Sequence, residues 1–455
     1  MNQITPQTAL QDQFLRDFKR FENALNGSAK AETQVIREHA LEVFKTLGFP
    51  TQRHEEWKYT SVQPLFKYEW KTYLPDDASD LTREDIAPLL FKKLQATILV
   101  VVNGVFKKEL SMLLKQADGI ITTGFKNAES ENSELFKKHF AQHASFKNEA
   151  FTALSTAFAH DGAFVFVPNG KIAEHPIHIV NIIDSRAENR LTQPRNLIIL
   201  GKNSQATIIE TTHTLGENES FKNAVSEIFL DENAVLKMHI VQNDSDNSFA
   251  VNTTQVHQER TSNFTATTVS LGGGVIRNNM NALLNGEFCE SNFNGLYVLK
   301  SREHVDNHTL ADHAVPKCQS NELYKGILDD ESTGVFNGKI MVRADAQKTN
   351  AFQSNRNILL SKNATINTKP QLEIYADDVK CSHGATTGQL DEEAMFYLRA
   401  RGLGEEKARA LLLHAFAADV LQKIDVAEVC EELLRLIDER LHIEDEVADV
   451  VNEAV

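Results

Sequence analysis

Apolar residues at Leu10, Phe14, Phe18, Phe21 and Leu25 recur in steps of three and four, the mark of one helix face, and predict a first helix over residues 5–25. A second helix follows, with Val35, Ile36, Ala40, Val43 and Leu47 inward and Gly48 and Pro50 as its stop. The stretch RHEEWKYTSVQPL, residues 53–65, breaks the periodicity and reads as a loop dense in charged and aromatic side chains. There Trp57 and Tyr59 either anchor the loop to the domain or touch a ligand. ATILVVV, residues 96–102, predicts a short buried strand, and Asn103-Gly104 a hairpin turn. A further helix over 148–159 places Phe151, Leu154 and Phe158 on one side. Residues 1–160 therefore read as a mostly helical N-terminal domain.

From Ala163 to about Asp378 the texture changes to short runs rich in Val, Ile, Thr and Phe, broken by Asn, Gly, Asp and Ser. An asparagine opens a strand-like run at Asn203, Asn233, Asn263, Asn292, Asn321 and Asn350, in steps of 30, 30, 29, 29 and 29. A period of that length predicts a solenoid, in which each coil buries its apolar face by stacking on its neighbours. The runs have strand periodicity, so the solenoid should be a β-helix; the rival, a sandwich or barrel, has no reason to keep a constant period. LGGGVIRNN, residues 271–279, lacks the Lys-Ser/Thr of a phosphate-binding loop and reads as a tight turn between coils. HVDNHTLADHAVPKC, residues 304–318, gathers His304, Asp306, His308, Asp312, His313 and Cys318. Strand alternation puts His304 and His308 on one face and His313 on the other, which favours polar ladder or interface residues over a structural metal. The β-helix core is expected over 161–388.

At residues 371–402, QLEIYADDVKCSHGATTGQLDEEAMFYLRARG, a strand-type segment passes into helices across what reads as a Cys-Ser-His-Gly turn. Asp391 caps a helix carrying Met395, Phe396 and Leu398 and closed by Gly402. A second helix over 405–424 has Ala408, Leu411, Leu412, Ala415 and Phe416 inward. A third over 426–441 uses Val429, Leu433, Leu434 and Ile437, and an acidic, frayed tail begins at Ile443. Residues 389–455 thus form a small C-terminal helical domain suited to docking a partner.

Composition narrows the function. A net charge of -16 over 455 residues argues against a broad nucleic-acid or anionic-membrane surface, since both would be repelled. No long apolar run and no signal-peptide pattern is present, which predicts a cytoplasmic protein. Cys289, Cys318, Cys381 and Cys430 have no CxxC spacing, so neither a disulfide framework nor a zinc knuckle is indicated.

The run TKPQLEIYADDVKCSHGATTGQLDEEAMFYLRARG, residues 368–402, together with RHEEWKYT near the N-terminus, closely resembles the SufB/SufD family of scaffold subunits in SUF iron-sulfur cluster assembly, on its SufD side. The resemblance implies a right-handed parallel β-helix core between helical N- and C-terminal domains. It also implies a SufB-like paralogue met through the β-helices, and a SufC-like ATPase met through the C-terminal helices, which accounts for the missing P-loop. The family's functional histidine falls on His383, facing the paralogue where a cluster forms. Iron accepts imidazole nitrogen and thiolate sulfur, so a transient metal role for His383 is chemically sound, while the alternative has it hydrogen-bonding its own turn. Cys381 shares the face of His383 if the backbone is extended, as a second ligand or a buried apolar filler. Where the paralogue has a cysteine in the FYxxxRG helix, this chain has Leu398, which cannot ligate iron; alone, the chain should build no cluster.

The expectation is therefore a non-catalytic scaffold with no tightly bound cofactor. A transient iron or iron-sulfur cluster would lie at the subunit interface, and the place of a flavin stays open. Two other readings are a β-helix carbohydrate lyase or hydrolase, and a homodimer with a separate binding role. The first lacks an export signal and a catalytic carboxylate cluster.

Overall fold

The computed structural model describes residues 6–25, 31–72, 74 and 79–441. Its centre is a mainly β solenoid in which consecutive strands alternate between two sheets, so that every second strand stacks in parallel on the one before it. One sheet runs through Ser220–Leu230, Ser248–Gln258, Val275–Leu284, His304–His313, Thr333–Val342 and Thr365–Ile374. The other runs through Gln205–Leu215, Val235–Asn243, Asn263–Gly272, Glu290–Leu299, Gln319–Leu328, Asn350–Leu359 and Lys380–Gly388. Side chains alternate along each strand, and the inward ones form one apolar core that includes Ile208, Met238, Phe264, Phe293, Val305 and Ile340. Each such side chain contributes about 2 kcal/mol by leaving water.

The period is real, but the asparagines are not one column. Asn203 and Asn233 occupy left-handed turn positions, φ 56° and 59°, whereas Asn263 pairs with Glu290 and Asn292 with Thr265. The turn between coils is instead marked by a left-handed residue just ahead of each strand, at Thr261, Phe288, Lys317 and Lys348. The glycine run is the inter-coil turn the sequence predicts: Gly273 has φ 129°, and a Cβ on Gly274 would lie 2.2 Å from the Asp246 carbonyl oxygen.

Helices cover both outer faces. The N-terminal helix Pro6–Ala24 buries Leu10, Phe14, Phe18 and Phe21 in an aromatic cluster with Phe44, Phe49, Phe151 and Phe158 that also reaches Phe221 and Phe249 of the solenoid. Thr97–Val102 turns back antiparallel through Asn103 and Gly104, φ 50° and 84°, and also pairs in parallel with Ile177–Asp184 as part of the second sheet. Two inward faces differ from expectation. In Ala31–Leu47, Val35 is exposed and the buried set is Thr33, Arg37, Ala40, Leu41 and Phe44. Arg37 is drawn inward because its Nε donates to the Ala159 carbonyl at 2.7 Å and its charge meets Glu129. In Glu405–Leu421 the buried residues include Leu413, His414, Ala417, Val420 and Leu421 rather than Leu411 and Leu412, because His414 turns inward to pair with Asp438 of the next helix, Ala427–Arg440.

Those last two helices lie on the outer face of the second sheet. Leu413, Val420, Val429, Leu433 and Ile437 meet Val241, Val269, Leu296 and Ile327. Ion pairs line the rim: Lys325 to Asp419 at 2.5 Å, His239 to Asp425 at 2.9 Å, and Arg440 to Glu303. The tail from Ile443 lies outside the described residues. No helix among the described residues is long and apolar enough to cross a membrane.

Candidate functional site

The two ends of the solenoid differ. At the first end the sheets are closed by short antiparallel strands, Val105–Phe106 on one and Ile121–Gly124 on the other. At the last, Thr365–Ile374 and Lys380–Gly388 each have a strand partner on one side only. Unpaired edges of this kind template the addition of another strand, and proteins commonly blunt them. Here every residue of Lys380–Gly388 except Cys381 is exposed, and Thr365–Ile374 is half-buried between its exposed end residues. The last coils and the helix that follows, Glu392–Ala400, also expose Phe352, Tyr375, Phe396 and Tyr397. Phe396 is 74% exposed.

The Cys-Ser-His-Gly segment is not a turn. It lies within the terminal strand Lys380–Gly388, in unbroken register with Asn350–Leu359, because the ladder of the preceding coil continues through Gly384 and the chain leaves the sheet only after Gly388. His383 stands opposite Gln353, and Cys381 opposite Ala351. Ala351 and Gln353 are buried, so alternation turns Cys381 and His383 toward the lumen, on one face as expected. Cys381 packs against the solenoid core, and burial raises its thiol pKa against an opposing hydrogen bond from the Ala351 backbone. His383 is exposed, and nothing lies within 4 Å of where a Cβ on Gly384 would be. Residues 382–384 also border a groove of about 760 Å³ that Asn292, Asn321, Phe352 and Lys423 help to line. Leu398 is half-buried on Glu392–Ala400.

One column through the second sheet shows what sequence reasoning missed. In register from mid-solenoid to the open end it reads Ile208, Met238, Ala266, Phe293, Glu322, Gln353 and His383. Four apolar rungs give way to three polar ones at the end that is open. Glu322 is buried; its Oε2 accepts from Thr309 Oγ1 at 2.5 Å and from Gln353 Nε2 at 3.1 Å. Burial pushes its carboxyl up to about 7, against those two hydrogen bonds. The signal lay in the 27-to-31-residue spacing of the column, but it is visible only once the register is known.

The residues 304–318 resolve differently. His304, Asp306 and His308 face the 53–60 loop. Asp306 accepts from Thr60 Oγ1 at 2.5 Å, pairs with Arg277 at 2.8 Å and His308 at 3.0 Å, and Arg277 lies 4.3 Å over the Trp57 ring. Burial disfavours ionisation of Asp306, but Arg277 and His308 outweigh it and hold the carboxyl well below its usual range. Trp57 is thus the anchor of the loop. His313 and Cys318 are buried on the other side. Among the described residues no three His, Cys, Asp or Glu side chains are grouped to hold a metal.

Compared with known proteins, residues 182–416 match the family model described as SUF system FeS cluster assembly, SufBD core domain, and residues 8–179 match SufBD protein N-terminal region. The chain belongs to the SufBD family. It is 34% identical over 404 residues to an iron-sulfur cluster assembly SufBD family protein of Synechocystis sp., covering 86% of this chain and 88% of the relative. It is 31% identical over 410 residues to the iron-sulfur cluster assembly protein SufD of Escherichia coli, covering 89% and 92%. A chloroplastic Arabidopsis thaliana protein named ABCI7 is 26% identical over 451 residues, covering 94% and 91%. As a SufBD protein with SufD homologues, the chain is an iron-sulfur cluster assembly protein.

Proposed function

We propose that the chain is a non-catalytic scaffold subunit that adds its open end to a SufB-like paralogue and presents His383 to a nascent iron-sulfur cluster at that interface. The observation that carries this reading is the end itself: two unpaired parallel edges with His383 on one of them. The cluster or its iron is cargo, held transiently, and no resident cofactor is required of this chain. Leu398 supplies no ligand, so the cysteine needed for cluster building would come from the partner. A SufC-like ATPase docks near the C-terminal helices, where Phe396 and Tyr397 are free to be covered. ATP-driven movement there would shift the populations of closed and open interface. The assembly acts in the cytoplasm.

Co-expression with SufB and SufC partners tests this. With His383→Ala the complex should still assemble, while cluster formation in cells falls at least tenfold. Normal cluster formation by the mutant sinks the assignment.

A further inference from the structure

We infer that the lumen beneath His383 is a binding site for a divalent iron ion, with Gln353 Oε1 as the oxygen ligand beside the imidazole and Glu322 as the carboxylate that orients Gln353 and offsets the ion's charge. The inference rests on the reading of His383 given above and extends its site inward by two rungs.

Three observations converge. First, the column turns from apolar to polar only in its last three rungs, Glu322, Gln353 and His383. Second, Gln353 and Glu322 are each only 3% exposed, yet Gln353 Oε1 and Glu322 Oε1 have no hydrogen-bond partner. Leaving such a group unmade costs about 1–3 kcal/mol, more when it is charged. Third, Glu322 differs from the other buried carboxylates of the solenoid. Glu227 has Arg195, Asp306 has Arg277 and Glu303 has Arg440, and buried Glu210 and Asp244, though not ion-paired, both feel the charge of buried Lys222, whereas no Lys or Arg among the described residues forms an ion pair with Glu322 or acts on its charge. Asp161, also buried, accepts three backbone N–H groups instead.

The geometry fits a cation approaching from the open end. Gln353 donates Nε2 to Glu322, which commits the nitrogen inward and leaves the oxygen for a ligand. Gly338 on the facing strand makes room for that amide: a Cβ there would lie 2.2 Å from Gln353 Nε2. Imidazole nitrogen with amide and carboxylate oxygen is a donor set for a borderline divalent ion such as ferrous iron rather than for a soft one. Orientation of a ligand by a buried carboxylate is the usual support behind a metal.

The test is anaerobic titration of the full chain with Co²⁺ as a spectroscopic stand-in for Fe²⁺, following the ligand-field band, with circular dichroism melts to establish folding. The parent should bind one ion in a band that His383→Ala abolishes. Gln353→Leu and Glu322→Gln should each weaken binding about tenfold or more, and Gln353→Glu, which adds a carboxylate, should tighten it. The inference is overturned if the parent shows no such band, or if folded Gln353→Leu and Glu322→Gln bind as the parent does and Gln353→Glu brings no gain. Either result leaves the cluster-formation phenotype of His383→Ala, and with it the scaffold reading, to stand or fall separately.

Discussion

At the scale of single residues, Arg277 holds the HEEWKYT loop to the solenoid. Its guanidinium pairs with buried Asp306, covers Trp57 and donates to the Glu56 carbonyl at 2.5 Å. Removing it strands a buried carboxylate, a loss of about 3–5 kcal/mol. Arg277→Ala should therefore lower the melting temperature sharply, and Asp306→Asn in the same chain should recover part of the loss; equal melting of single and double mutants would refute the coupling. His160 makes a pH prediction. Burial holds it down to about 4, against a hydrogen bond with the Phe158 carbonyl and with Arg37 and Lys126 reinforcing the shift. An unfolded histidine takes up its proton near 6.5. Its contribution is thus complete above pH 6.5 and is lost as pH falls toward 4, by up to about 3 kcal/mol. Urea melts of His160→Leu should show a shallower fall of stability over pH 6.5 to 4 than those of the parent.

At the scale of elements, the terminal strand has a defined free edge. The Lys380 N–H bonds the Thr349 carbonyl at 2.9 Å, so alternation turns the N–H groups of Cys381, His383, Ala385 and Thr387 outward. Proline is tolerated on an edge strand where the lost N–H faces solvent, and Gly384 ahead of it relieves the steric clash. Ala385→Pro should keep the monomer's melting temperature within a few degrees yet abolish association with a SufB-like partner in pull-down. Retained association would show that strand pairing at this edge is not the interface. The misread helix faces belong to this scale too. Periodicity ranks Val35 above Arg37 and Leu411 above His414, but a hydrogen-bonded Arg37 and a paired His414 rotate each helix so that the polar residue lies inside.

At the scale of the whole molecule, a solenoid is held by nearest-neighbour contacts, and its last coil has a neighbour on one side only. Amide hydrogen exchange should be fastest in Lys380–Gly388 and Thr365–Ile374 and slow toward the middle, and a bound partner should protect those two strands first. Uniform exchange along the coils would contradict this picture.

The sequence by itself determined the elements whose cause is local or periodic: the phenylalanine face of the first helix, the Asn103-Gly104 turn, the Asp391 cap and a repeat near 29 residues that only stacked coils explain. It also carried the family through two motifs, and it put His383 and Cys381 on one face. What it could not determine was register. Asparagines recur at the right interval from two different structural positions, so the column Phe293, Glu322, Gln353, His383 exists only after strands some 30 residues apart are aligned. The openness of one end was equally hidden, because whether an edge is paired depends on what lies next to it in space, not on the residues that compose it.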